Sequence, residues 1–195
     1  HADVYRLSAS MIPPGQAPLP RAEAPADLAA FLKLDFPQVR STARLVAGHP
    51  TLRHGQVAAV ETLYWADPDL FQVLPLPLLR GDPKTALARP DGVVLTRRMA
   101  RKYFGRDDPI GETLIVEPQP LRTSFSGPPI FQPPHPMRVT AVLKDLPATT
   151  HLDTEVLASA LAPFSPLAGP RAGYVYTYLR LAPGASGADL AKALP

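Results

Sequence analysis

The chain has 195 residues, 20 Lys plus Arg against 17 Asp plus Glu, no Cys and a formal net charge of +3. At 46% hydrophobic and 19% charged it can bury a core, since a chain of this size removes roughly 70% of its unfolded surface on folding, and this excludes a disordered tail. The absence of Cys excludes a disulfide scaffold, a thiolate nucleophile and Cys-ligated zinc or iron–sulfur centres, and a basic excess spread along the chain excludes the Lys/Arg clustering of a nucleic-acid footprint.

The sequence opens at His1 directly in a strand-like run without a signal-peptide pattern, as expected of a segment excised from something longer. Val4 to Ser10 reads as a strand. Pro13, Pro14, Pro18, Pro20 and Pro25 then hold the chain in a loop until Asp27 opens a helix. Leu28, Phe31 and Leu32 stand at i, i+3 and i+4 as its apolar face, and it must end before Pro37, which pushes Phe36 out of the α region. Val39 to Leu45 alternates, with Val39, Ser41, Ala43 and Leu45 on one face, and reads as a half-buried strand. These elements make a β-α-β unit. A further strand, Val57 to Tyr64, follows a turn at His54-Gly55.

The apolar run from Leu70 to Leu79 carries Pro75 and Pro77 and is too short for the roughly 20 residues of a spanning helix, so the chain reads as soluble. The middle third is cut into short elements by Asp67-Pro68, Gly81-Asp82-Pro83, Pro90-Asp91-Gly92 and Asp108-Pro109. Its clearest helix starts at Thr96, whose hydroxyl can cap free N–H groups, and ends at Gly105, suited to a left-handed cap. Met99, Ala100, Tyr103 and Phe104 form its inner face. Arg97, Arg98, Arg101 and Lys102 point outward, either as a solvated basic face or toward an anionic partner or lipid headgroup. Strands Thr113 to Glu117 and Met137 to Leu143 bracket Pro118 to Pro136, where seven prolines resist helix and ladder alike. That stretch is a solvated loop or a contact arm, with Phe125, Ile130 and Phe131 as candidate partner contacts. Tyr174 to Leu181 is a strand with Tyr174, Tyr176 and Tyr178 on one face, and Ser186 with Asp189 forms a capping box for a last helix reaching Pro195.

Chemistry-bearing motifs are nearly absent. There is no Walker loop, Gly-x-Gly-x-x-Gly, His-Glu-x-x-His or EF-hand pattern. Ser186 fails as a nucleophile elbow because it caps a helix. His49 with His54, and His151 with Asp153, lack a third metal ligand in view. Asp67 with Asp69, and Asp107 with Asp108, flank prolines where Asp serves turns and caps.

The run Tyr64-Trp-Ala-Asp-Pro-Asp-Leu-Phe71 is followed by Leu76-Pro-Leu-Leu-Arg-Gly-Asp-Pro83, Ala86-Leu87 and Val93-Val-Leu-Thr96. Ala100-Arg-Lys-Tyr-Phe-Gly105, Asp108-Pro-Ile-Gly111 and Val142-Leu-Lys-Asp-Leu-Pro147 with Thr150-His151 come next. Together with the opening Ala2-Asp-Val-Tyr-Arg-Leu7 and the closing Tyr178-Leu-Arg-Leu-Ala-Pro-Gly184, this series resembles the MacB-like periplasmic core domain of FtsX-like ABC transporter permeases. The insert from Pro118 to Pro136 departs from that family's short hairpin. The resemblance implies an α+β fold, with porter-like β-α-β units over residues 1–65 and 156–195 and a smaller inserted mixed α/β, sabre-like subdomain over 66–155. It implies a non-catalytic, cofactor-free periplasmic domain of an inner-membrane permease subunit, coupling cytoplasmic ATP hydrolysis to mechanical export or signalling. The partners it implies are a cytoplasmic ABC ATPase, a second permease copy or paralogue, and a periplasmic adaptor or substrate protein. On that reading Asp67, Pro68, Gly81, Asp82, Gly105, Gly111 and Pro147 shape turns and caps. The rival classes are a free periplasmic ligand- or peptide-binding module, with the Tyr174, Tyr176 and Tyr178 face as its platform, and a hydrolase, for which the sequence offers no nucleophile and base.

Overall fold

The computed structural model describes residues 3–11, 15, 17, 19–119, 132–147, 152, 154–169 and 173–194. Strands β1 (Val4–Arg6), β2 (Ala9–Met11), β3 (Leu19–Arg21) and β4 (Ala24–Pro25) lead to helix α1 (Leu28–Asp35). Then come β5 (Val39–Gly48), β6 (Thr51–His54), β7 (Val57–Val60), β8 (Leu63–Ala66), α2 (Leu70–Val73), β9 (Leu78–Arg80), β10 (Gly92–Thr96) and α3 (Arg97–Phe104). The chain closes with β11 (Thr113–Glu117), β12 (His135–Leu143), β13 (Val156–Ser159), β14 (Tyr174–Leu181) and α4 (Gly187–Ala193). This is the α+β class expected.

One mixed sheet carries the molecule, in the order β1-β14-β5-β8-β13-β10-β12-β11-β6-β7, with β4 on β14 and β9 on β12. At its centre β13 runs parallel to β8 and antiparallel to β10, so strands from distant parts of the chain form one ladder. Alternation along the inner strands separates two cores. Val93, Leu95, Val156 and Ala158 join the cluster that Met99 and Tyr103 of α3 cover. Val94 and Leu157 face the cluster containing Leu70, Phe71 and Val73 of α2. A third cluster joins Leu32 of α1 and Leu190 of α4 to Leu179 and Leu181 of β14.

Helix α3 has the expected bounds: Thr96 Oγ1 accepts from Met99 N at 3.3 Å, and Gly105 closes the helix at φ +68°. Ser186 Oγ likewise accepts from Asp189 N at 3.4 Å to open α4. Four other expectations need correction. Val4 to Ser10 is two strands, because the chain leaves β14 after Leu7 N donates to Thr177 O, and β2 then pairs with β3 in a separate two-stranded sheet. The proline loop holds the short strands β3 and β4, whose Pro20 and Pro25 are tolerated at sheet edges. In α1 Leu32 is buried and Leu28 packs beside it as expected, but the second buried residue is Ala29, while Phe31 is 55% exposed. At 100° per residue Phe31 lies roughly 130° from the centre of that two-residue stripe. Finally, Val57 to Tyr64 breaks at Glu61-Thr62: β7 folds back on β6 about Gly55 (φ +56°), whereas β8 turns into the ladder between β5 and β13.

Candidate functional site

The residues that carry the sequence pattern are tied to backbone geometry. Asp67 accepts from the Arg44 guanidinium through both carboxylate oxygens, at 2.9 Å each, and from Arg44 N at 2.9 Å. Its own N–H donates to Arg44 O at 3.1 Å. This closed set of bonds locks the loop after β8 onto β5, and the hydrogen bonding to Asp67 holds the Arg44 guanidinium further above its ordinary range. Gly81 stands at φ +91° with its Cα against the backbone of Thr140 and Ala141 in β12; a Cβ there would lie 2.6 Å from the Ala141 Cβ. Asp82 O then accepts from Thr85 N and Ala86 N, and Asp82 Oδ1 from Lys84 N. Asp145 Oδ1 accepts from Arg98 N at 2.8 Å in the first turn of α3, a contact between the strand-β12 motif and the helix that spacing along the chain does not reveal. Two more such contacts pass unnoticed in sequence: Ser159 Oγ donates to Leu87 O at 2.8 Å, and Thr140 Oγ1 lies 2.6 Å from Ala86 O.

The outer face of α3 is a set of ion pairs. Arg97 and Arg101 both meet Asp107, Arg98 meets Glu155 and Lys102 meets Glu61. The Arg101 guanidinium holds the Asp107 carboxyl below the usual carboxylate range. Glu61 also accepts from the Tyr103 hydroxyl at 2.9 Å, and burial followed by this carboxylate pushes the Tyr103 phenol well up. A cleft of about 370 Å³ between Glu61, Thr62, Arg98, Met99, Lys102 and Glu155 is thus lined by charges that already answer one another. Each cation of α3 thus has a carboxylate beside it, with Arg97 and Arg101 sharing Asp107, as on a solvated face of ion pairs.

The tyrosine face does not converge on one site. Tyr174 is half exposed with the Arg21 guanidinium 4.9 Å above its ring, Tyr176 lies 6.3 Å from Tyr64, and Tyr178 is buried in the core. Tyr178 borders a cleft of about 390 Å³ with Val4, Tyr5, Arg6 and Leu74. His54 packs its ring 4.2 Å from Phe104 and its Nδ1 lies 3.1 Å from Thr113 O, so it serves the fold. His135 stacks on Phe164 at 3.5 Å, and burial lowers its pKa from the ordinary 6.5. Among the described residues no three His, Asp or Glu side chains gather as a metal set. Phe125, Ile130, Phe131, His151 and Asp153 lie outside the described residues.

A mixed-sheet α+β domain whose signature residues brace loops against strands defines a scaffold class. The chain belongs to the MacB-like periplasmic core domain family, whose sequence pattern matches residues 2–195. Solved structures share the fold. A domain of a Porphyromonas gingivalis protein described as a permease is 21% identical, with a TM-score of 0.71 over 100% of this chain and 79% of its own. The periplasmic region of MacB from Actinobacillus actinomycetemcomitans is 16% identical, with a TM-score of 0.62 over 87% of this chain and 70% of its own. The extracellular domain of the noncanonic ABC-type transporter YknZ from Gram-positive bacteria is 18% identical, with a TM-score of 0.55 over 88% of this chain and 78% of its own. No curated protein matches the chain by sequence. The family is one of periplasmic domains of ABC transporter permeases. Among the described residues no helix is long and apolar enough to cross a membrane.

Proposed function

We propose that this domain stands outside the inner membrane between the first and second transmembrane helices of a permease subunit. There it passes motion driven by a cytoplasmic ABC ATPase to an exported substrate or a signalling partner. The observation that carries the reading is the unbroken ladder through β8, β13 and β10. Force applied at β1 and β14, which pair side by side at one end of the sheet, reaches the far hairpin β6–β7 through hydrogen bonds and packed side chains from strand to strand. Mechanical transmission asks for such a packed body, since packed interfaces switch between discrete arrangements rather than deform continuously. In this reading residues 1–65 and 156–195 make the porter-like part and 66–155 the inserted sabre-like part. The hairpin of β6 and β7 reaches from the first segment onto β11 of the insert. The domain performs no chemistry of its own, and a second permease copy or paralogue completes the working pair.

The test is to express the intact gene product and fractionate it. Recovery in the inner membrane together with an ABC ATPase subunit supports the reading. A free periplasmic product that melts later in the presence of small ligands or peptides contradicts it and favours a binding module.

A further inference from the structure

Among the described residues strand β7 ends the large sheet and pairs with β6 alone. Its four residues, Val57-Ala-Ala-Val60, include no charge and no proline, and Val60 is 60% exposed. Natural sheets blunt such edges with Lys, Pro, bulges or very short strands. The opposite edge follows that rule by charge: β1 carries Arg6 and is flanked by Asp3 paired with Arg180 at 3.3 Å. By contrast β7 keeps a regular register with β6 and no bulge.

The open backbone groups of β7 can be assigned. Glu61 N donates to Pro50 O at 3.1 Å, which makes Glu61 and Pro50 a hydrogen-bonded pair. Such pairs alternate along an antiparallel ladder, so Ala59 with Leu52 and Val57 with His54 are the next two. The N–H and C=O groups of Ala58 and Val60 therefore point away from β6 into the open edge. Two groups at i and i+2 form a self-complementary set.

We infer that β7 pairs antiparallel with β7 of a second copy of this chain, about a twofold axis at Ala59. In that register Ala58 of each copy bonds Val60 of the other, closing four hydrogen bonds. The two Ala59 residues then face each other at the unbonded position, where Cα atoms approach to about 4.5 Å. Side chains as small as Ala admit that approach, and Val60 covers Ala58 on the outer face. The next register, with Ala58 on Ala58, would set apolar Val60 against polar Gln56. No like charges meet across the axis, because β7 has none, and Glu61 is turned to Lys102 and Tyr103. A four-residue ladder falls well short of the roughly 800 Å² per partner of a stable interface, so the free domain associates weakly and reversibly. The inference rests on the strand edge alone and stands apart from the transport reading.

The chain has no Cys, so one introduced thiol reports the contact cleanly. An approach of about 4.5 Å lies within the 4.4–6.8 Å range of Cα separations that a disulfide spans. The Ala59→Cys variant of this chain is oxidised beside Gln56→Cys, which places a thiol on the exposed hairpin tip as a collision reference. The expected result is disulfide dimer forming about tenfold faster from Ala59→Cys, a preference worth about 1.4 kcal/mol. Adding Val60→Lys should return that rate to the reference with the circular dichroism unchanged. Equal rates for the two single variants, or a rate untouched by Val60→Lys, would overturn the proposal.

Discussion

Gly81→Ala tests whether the glycine turn after β9 is a matter of local conformation or of close approach. Gly81 sits at φ +91°, where any side chain is strained, and the added Cβ would meet the Ala141 Cβ at 2.6 Å, the Thr140 carbonyl oxygen at 2.7 Å and the Ala141 Cα at 2.8 Å. Strain at positive φ costs about 1 kcal/mol. Overpacking against a central strand that cannot swing aside adds about 1–3 kcal/mol, for a total of about 3 kcal/mol. At this chain length that is a fall in Tm of about 6–12 °C. Gly105→Ala is the control, because Gly105 stands at φ +68° with nothing within 4 Å of the added Cβ, so only the strain of about 1 kcal/mol applies. Urea titration and thermal melts of both variants read the difference directly. Equal losses in the two would show that Gly81 is a turn residue only and would refute the close approach to β12.

Asp67→Ala leaves the Arg44 guanidinium and N–H without their shared acceptor in a site where both side chains are mostly covered, and should cost about 2 kcal/mol by urea titration; a loss no larger than that of the exposed-pair variant Asp107→Ala would count against the locking role. Lowered pKa of His135 means that the unfolded chain takes up its proton first. Its contribution is whole above the unfolded value of 6.5 and is lost as pH falls toward the lower folded value, so stability should decline as the pH is taken down through and below 6.5. His135→Phe keeps a ring on Phe164 and should flatten that decline; an unchanged slope would acquit His135. The ion-paired face of α3 should leave the domain unbound to anionic lipid vesicles at physiological salt, checked by co-sedimentation, and strong binding would show that its cations are free to leave their partners.

Helix α3 was legible in the sequence because its signals are local: a hydroxyl at one end, a glycine at the other and an apolar stripe between them. The strand from Tyr174 was equally plain, since alternation marks a strand whatever it pairs with. What escaped was set by distant partners. Nothing near Val57 says that β7 returns to β6 while β8 continues elsewhere, and the break at Glu61-Thr62 exists because two different neighbours compete for one apolar run. Phe31 stood at the right spacing for the inner face of α1, yet the helix packs on β5 with Ala29 and Leu32 buried, which leaves Phe31 outward. The bonds from Asp67 to Arg44 and from Asp145 to α3 span 23 and 47 residues, so the sequence shows the carboxylates as turn formers without showing what they hold. The family pattern was legible as a series of short motifs, and it covers the chain from residue 2 to residue 195.

The central claim is that this domain moves as one body when the cytoplasmic ATPase turns over. The direct measurement is pulsed electron spin resonance on the complete permease with its ATPase in lipid discs, using thiols introduced into the otherwise Cys-free domain. Labels at Ser8→Cys and Gln56→Cys span the sheet from the β1 edge to the far hairpin tip. The account predicts that their distance within one domain stays fixed with and without trapped nucleotide, while the distance between Gln56→Cys labels on the paired domains shifts. A change within the domain as large as the change between domains would contradict it.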